Sequence, residues 1–151
     1  MAKTQSNKPM TRILLIEDNE DLVAEMLGLL RLIPDTTIDV CMPVKPAELE
    51  FGRERMPELN EVKRIIKNYD IILLDGVYAE DSNCEYSGRD IFPSCEGKLV
   101  LGISSDRKMK FGPFNFHDKW DLGSPSKNID APDMFLAAVS EVIYEHSLAL
   151  A

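Results

Sequence analysis

The sequence predicts an α/β domain in which a parallel sheet is doubly wound, with helices on both faces. Three observations predict it. Short apolar runs recur along the chain, amphipathic stripes separate them, and three of the runs stop abruptly on Glu17, Asp75 and Ser104. At 151 residues the chain suits one core, because single domains run to roughly 100–200 residues. Neither an internal repeat nor a low-complexity segment interrupts it. Residues 1–9 are expected to form a flexible tail, and residues 10–151 a single domain.

Arg12–Ile16, Asp70–Leu74 and Lys98–Ile103 have the length and continuous apolar character of buried strands. Thr36–Met42, rich in β-branched residues and bounded by Pro34-Asp35 and Pro43, reads as a fourth. Phe114 and Phe116 alternate as a short fifth strand would. Glu20–Ile33 carries the stripe Leu22, Met26, Leu27, Leu30 and Ile33, with Asn19 as its cap and Pro34 as its stop. Leu59, Val62, Ile66 and Tyr69 form a second stripe. Pro57 and Glu58 stand at its start and Lys63, Arg64 and Lys67 towards its end, as the helix macrodipole favours. In the last helix Asp130 and Ala131-Pro132 provide the entry, and Phe135, Ala138, Val139, Val142 and Ile143 the apolar face. Pro43–Met56 and the acidic Gly76–Gly88 read as irregular.

Acidic residues outnumber basic ones by 26 to 17, for a formal charge of −9. That balance opposes direct nucleic-acid binding and attachment to an anionic membrane, and favours protein, cation or small-molecule partners. No apolar stretch approaches the ~20 residues of a membrane span, and the first residues lack the apolar centre of a secretory signal. A cytoplasmic location is therefore expected. Cys41, Cys84 and Cys95 are odd in number and widely spaced, so they read as packing residues and not as a disulfide framework or zinc cluster.

In a parallel α/β sheet ligands bind beyond the carboxyl ends of the strands, where Glu17, Asp18, Asp75 and Ser104 fall. Two carboxylates ~5 Å apart repel by ~3 kcal/mol at an effective dielectric of ~20, so three together call for a cation or shifted proton affinities. An all-oxygen set suits Mg²⁺. The structural alternative is that Glu17 and Asp18 are solvated turn acids at the entry to the first helix.

Ile13-Leu14-Leu15-Ile16-Glu17-Asp18-Asn19-Glu20 and Ile71-Ile72-Leu73-Leu74-Asp75-Gly76 resemble the receiver domain of two-component response regulators, over roughly residues 10–149. The resemblance implies a five-stranded flavodoxin-like sheet of order 2-1-3-4-5. It implies Asp75 as phosphoacceptor, Glu17, Asp18 and Asp75 as Mg²⁺ ligands with the Val77 backbone carbonyl, and Ser104 as the switch hydroxyl. It further implies a histidine kinase or histidine phosphotransfer protein as donor and a downstream protein as target. A homodimer is compatible with it, and conventional enzyme activity beyond self-phosphorylation and dephosphorylation is not expected.

The family also places a lysine after the fifth strand, and two candidates compete. Lys119 follows the alternating Phe114 and Phe116, whereas Lys127 follows the turn-like Gly123-Ser124-Pro125-Ser126 and lacks the proline that commonly succeeds the family's lysine. Lys119 is preferred. Ser105–Pro113 is then too short for a helix with its connections, so the fourth helix of the family should be short or missing. That departure puts the family's usual output face in doubt. Gly88 stands where a glycine opens the family's third helix, and Phe111, Phe114, Phe116 and Trp120 compete as switch aromatic. The alternative reading is a pseudo-receiver, a phosphorylation-independent protein-binding module. A flavodoxin-like cofactor carrier would want a phosphate-cradling loop where Glu17–Asp21 stands, and a phosphohydrolase would want a second acid where Val77 stands.

Overall fold

The computed structural model describes residues 10–43, 58–76, 86–123 and 128–150. The elements in order are β1 (Thr11–Ile16), α1 (Glu20–Leu30), β2 (Thr36–Cys41), α2 (Leu59–Ile66), β3 (Ile71–Leu74), α3 (Gly88–Ile91), β4 (Leu99–Gly102), β5 (Phe114–Asn115) and α4 (Ala131–Leu150). Short 3₁₀ stretches occupy Phe92–Cys95 and Lys119–Leu122. The five strands form one sheet in the order β2-β1-β3-β4-β5, and every neighbouring pair is parallel. The tail expected over residues 1–9, most of the irregular Pro43–Met56 segment, and Cys84 lie outside the described residues.

The two faces of the sheet bury different halves of the same runs, as a period of two requires. Ile13, Leu15, Ile71, Leu73 and Leu101 face α1 and α4, where Met26, Leu30, Phe135, Val139 and Val142 complete the layer. Leu14, Ile16, Ile72, Leu74 and Val100 face α2 and α3, where Val62, Ile66 and Ile91 pack. Phe135, wholly buried, meets the Phe116 ring edge-on with centroids 5.4 Å apart, a favoured aromatic geometry.

Helix α1 begins where Asn19 Oδ1 accepts from the Leu22 amide at 3.0 Å. It ends at Leu30 and not at Ile33: the Leu32 and Ile33 amides turn back to the Leu29 and Leu30 carbonyls, a tightened last turn before Pro34. Helix α2 is likewise shorter than its stripe, because Asn68 and Tyr69 continue as turns. At the entry to α4 the side-chain bond comes from Asn128, whose Oδ1 accepts from the Asp130 amide at 3.0 Å; Asp130 contributes its carbonyl to the Met134 amide.

The β4-to-β5 crossover contains no helix. In its place Met109 and Phe111, both buried, fold onto the face shared with α2 and α3. Phe111 and Met109 lie where side chains at Gly76 and Gly88 would have to stand. A Cβ on Gly88 would run into the Asp75 carbonyl and lie 2.8 Å from Gly76 Cα, so α3 starts on the one residue type that lets it approach β3 this closely. Cys41 and Cys95 are buried and in no disulfide among the described residues, and burial pushes the Cys95 thiol up to about 11.

Candidate functional site

The carboxyl ends of the central strands finish level: Ile16 pairs with both Cys41 and Leu74, and Leu74 with Gly102. The next residues extend the ladder, with the Asp75 amide donating to the Ile16 carbonyl at 3.0 Å and the Ile103 amide to the Leu74 carbonyl at 3.0 Å. Register therefore carries Glu17 and Asp75 side by side, with Ser104 two residues beyond the end of β4. Glu17, Asp75 and Ser104 are 0%, 1% and 2% exposed.

Lys119 enters from the 3₁₀ stretch that follows β5. Its Nζ lies 3.0 Å from Glu17 Oε2 and 3.0 Å from Asp75 Oδ1, and the residue is only 3% exposed. The other Glu17 oxygen accepts from the Asp18 and Asn19 amides, each at 3.2 Å. Asp18, half-buried, brings a third carboxylate, and Glu17, Asp18 and Asp75 each present an oxygen within 4.8 Å of the others'.

Charge accounting decides how this cluster is protonated. Burial, reinforced by the negative charge of Asp75 and only partly offset by Lys119, pushes the Glu17 carboxyl up to about 9. For Lys119 burial alone would disfavour the ammonium, but Glu17 and Asp75 together outweigh it and hold its proton affinity above the ordinary range. Both shifts run the same way: Lys119 keeps its ammonium, and Glu17 holds its proton well above the ordinary carboxylate range.

Ser104 is fixed by its backbone and leaves its O–H available to donate. Its Oγ accepts from the Asp106 amide at 3.2 Å, and its carbonyl, which can only accept, lies 2.8 Å from His117 Nδ1, placing that ring's proton on Nδ1. Arg107 and Asp118 pair at 3.4 Å. His117 and Asp118 thus tie the segment bearing Lys119 to the turn after Ser104. Sequence reasoning missed His117, since a single histidine two positions before Lys119 forms no ligand spacing.

The candidate aromatics separate by environment. Phe111 packs against Gly76 and Gly88, Phe116 is buried against Phe135, and Phe114 is half-buried. Trp120 is 52% exposed, with Lys119 Nζ 5.2 Å from its ring centroid. Val77 and the alternative lysine, Lys127, lie outside the described residues.

Among solved structures the chain is similar to the response regulator domain of Thermotoga maritima CheB, at a TM-score of 0.58 and 12% identity, covering 91% of this chain and 97% of that one. The fold is that of a receiver. A second similar structure is a fusion carrying a trimeric coiled-coil segment of yeast Spc42, at a TM-score of 0.56 and 10% identity, over 94% of this chain and 85% of the other. No family model and no curated protein matches the sequence. At such identities the likeness is one of fold, and the receiver-like domain departs from the usual helix complement between β4 and β5. No helix among its described residues is long and apolar enough to cross a membrane.

Proposed function

We propose that this receiver-like domain is a phosphoacceptor: it takes a phosphoryl group on Asp75 from a histidine kinase or histidine phosphotransfer protein, with Mg²⁺, and presents the changed surface to a downstream protein. The observation that carries this reading is Lys119 Nζ at 3.0 Å from both Glu17 and Asp75, beside three carboxylates whose oxygens come within 4.8 Å. An oxygen-only set of that spacing fits a hard divalent cation, and Glu17, Asp18 and Asp75 would hold it. When bound, Mg²⁺ supplies positive charge that lets an anionic donor approach.

In the transfer an Asp75 carboxylate oxygen forms the new bond to phosphorus as the donor's phosphorus–nitrogen bond breaks, and the departing imidazole takes up a proton from water. Lys119 turns from Asp75 Oδ1 to a phosphoryl oxygen, keeping its charge paired, and the Ser104 hydroxyl donates to another. Moving Ser104 loads its links to Asp106 and His117, which carries the new charge into the β4–β5 crossover. On this reading the domain is no conventional enzyme, works in the cytoplasm, and is compatible with homodimer formation.

Intact-mass measurement after incubation with acetyl phosphate and Mg²⁺ tests the proposal. One added phosphoryl group, absent from Asp75→Asn and from a chelated sample, supports it. An unmodified mass together with absent Mg²⁺ binding overturns it. The second reading, a phosphorylation-independent binding module, is favoured by one feature: the crossover between β4 and β5 carries no helix, a departure from the family's usual output face. It predicts no mass change and partner binding that survives Asp75→Asn.

A further inference from the structure

The crossover without a helix leaves a groove at the amino ends of β4 and β5, away from the acidic cluster. Phe92, Val100, Phe111, Pro113 and Phe114 line a cavity of about 410 Å³. Phe92 rests on Phe111, with ring centroids 5.2 Å apart. A second cavity, of about 610 Å³, shares Pro93 and Glu96 with the first and is walled by Lys63, Arg64 and Lys67 of α2. Arg64 and Lys67 are exposed, Lys63 is half-buried, and none forms an ion pair among the described residues. Lys98, in the apolar cavity's wall, directs its ammonium to the Lys67 carbonyl at 3.2 Å. In a chain with a formal charge of −9, four cations against Glu96 make this a place where an acidic partner is not repelled.

We propose that this two-part groove seats an acidic amphipathic helix from another protein. In a parallel sheet each crossover normally supplies a helix, and between β4 and β5 this chain supplies only the crossover segment. The partner's apolar side chains enter the cavity beside Phe92 and Phe111, and its carboxylates meet Lys63, Arg64 and Lys67. Such a helix-in-groove contact combines apolar anchors with charge steering. A nucleic acid would find cations here but no use for the apolar half, and it would meet a repulsive field elsewhere on the surface.

The probe is a fluorescein-labelled helical peptide of about 18 residues, ~27 Å long, with Leu and Phe at three- and four-residue spacing and Glu elsewhere. Anisotropy with the full chain is expected to show binding that weakens as salt rises. A scrambled peptide of equal composition, and a single-stranded RNA of equal charge, should bind at least about tenfold more weakly. Lys63→Glu combined with Arg64→Glu should cost about tenfold in affinity, in a protein whose thermal melt shows it folded. Amide shift changes should fall on residues 63–67, 92–100 and 111–114. Affinity weaker than ~1 mM, equal binding of the scrambled peptide or of RNA, or shifts confined elsewhere would each overturn the proposal.

Discussion

Replacing Lys119 by methionine keeps most of the apolar stem and removes only the ammonium. The ammonium sits 3.0 Å from each of two carboxylates that are at most 1% exposed. At an effective dielectric of ~20 a contact between two full charges at this distance corresponds to ~5 kcal/mol of attraction before the cost of desolvating lysine is subtracted. Breaking a buried pair by removing one partner costs about 3–5 kcal/mol in general. Here the loss is bounded, because Glu17 holds a proton up to about 9 and only Asp75 is stranded. The expected loss is therefore about 3 kcal/mol at neutral pH, or ~6–12 °C in melting temperature for a chain of this size. Urea denaturation with chelator at neutral pH measures it. A loss below about 1 kcal/mol, the range of solvent-exposed pairs, would refute the reasoning that Lys119 neutralises a buried cluster.

The raised Glu17 carboxyl sets a pH dependence of definite sign. Between 4.5 and about 9 the folded state binds a proton that the unfolded state lacks, so this group's contribution to stability is fullest below 4.5 and falls as pH rises towards 9. A divalent cation at Glu17 must displace that proton, so Mg²⁺ affinity should rise with pH across the same window; fluorescence of Trp120, the single tryptophan, reports it, and a flat affinity would count against Glu17 as ligand. Gly88→Ala forces a Cβ against the Asp75 carbonyl and Gly76, with an expected cost of about 1–3 kcal/mol by chemical denaturation. Asn19→Ala removes the α1 cap and should cost about 1 kcal/mol, with Asn19→Asp largely restoring it.

Local rules made most of the architecture readable. A continuous apolar run followed by an acid or hydroxyl is a buried parallel strand with its ligand-facing end marked, which places Glu17, Asp75 and Ser104 at one edge of the sheet. Stripes at helical spacing located α1, α2 and α4, but they overran the ends of α1 and α2, because an apolar residue in a closing turn packs on the core as well as one in a helix.

The tertiary structure decided what depends on contacts between distant residues. That Lys119 reaches Glu17 follows from where β5 delivers the chain, and β5 is a strand of two residues, too short to announce its own register. The covering of Gly76 and Gly88 by Met109 and Phe111 is equally non-local. Burial then turns Glu17 from an ordinary carboxylate into one that holds a proton up to about 9, since proton affinity depends on desolvation and neighbouring charge and not on residue type. The order of polar and apolar residues alone thus determined which groups face the edge of the sheet, while packing determined how deeply they are buried and which cation balances them.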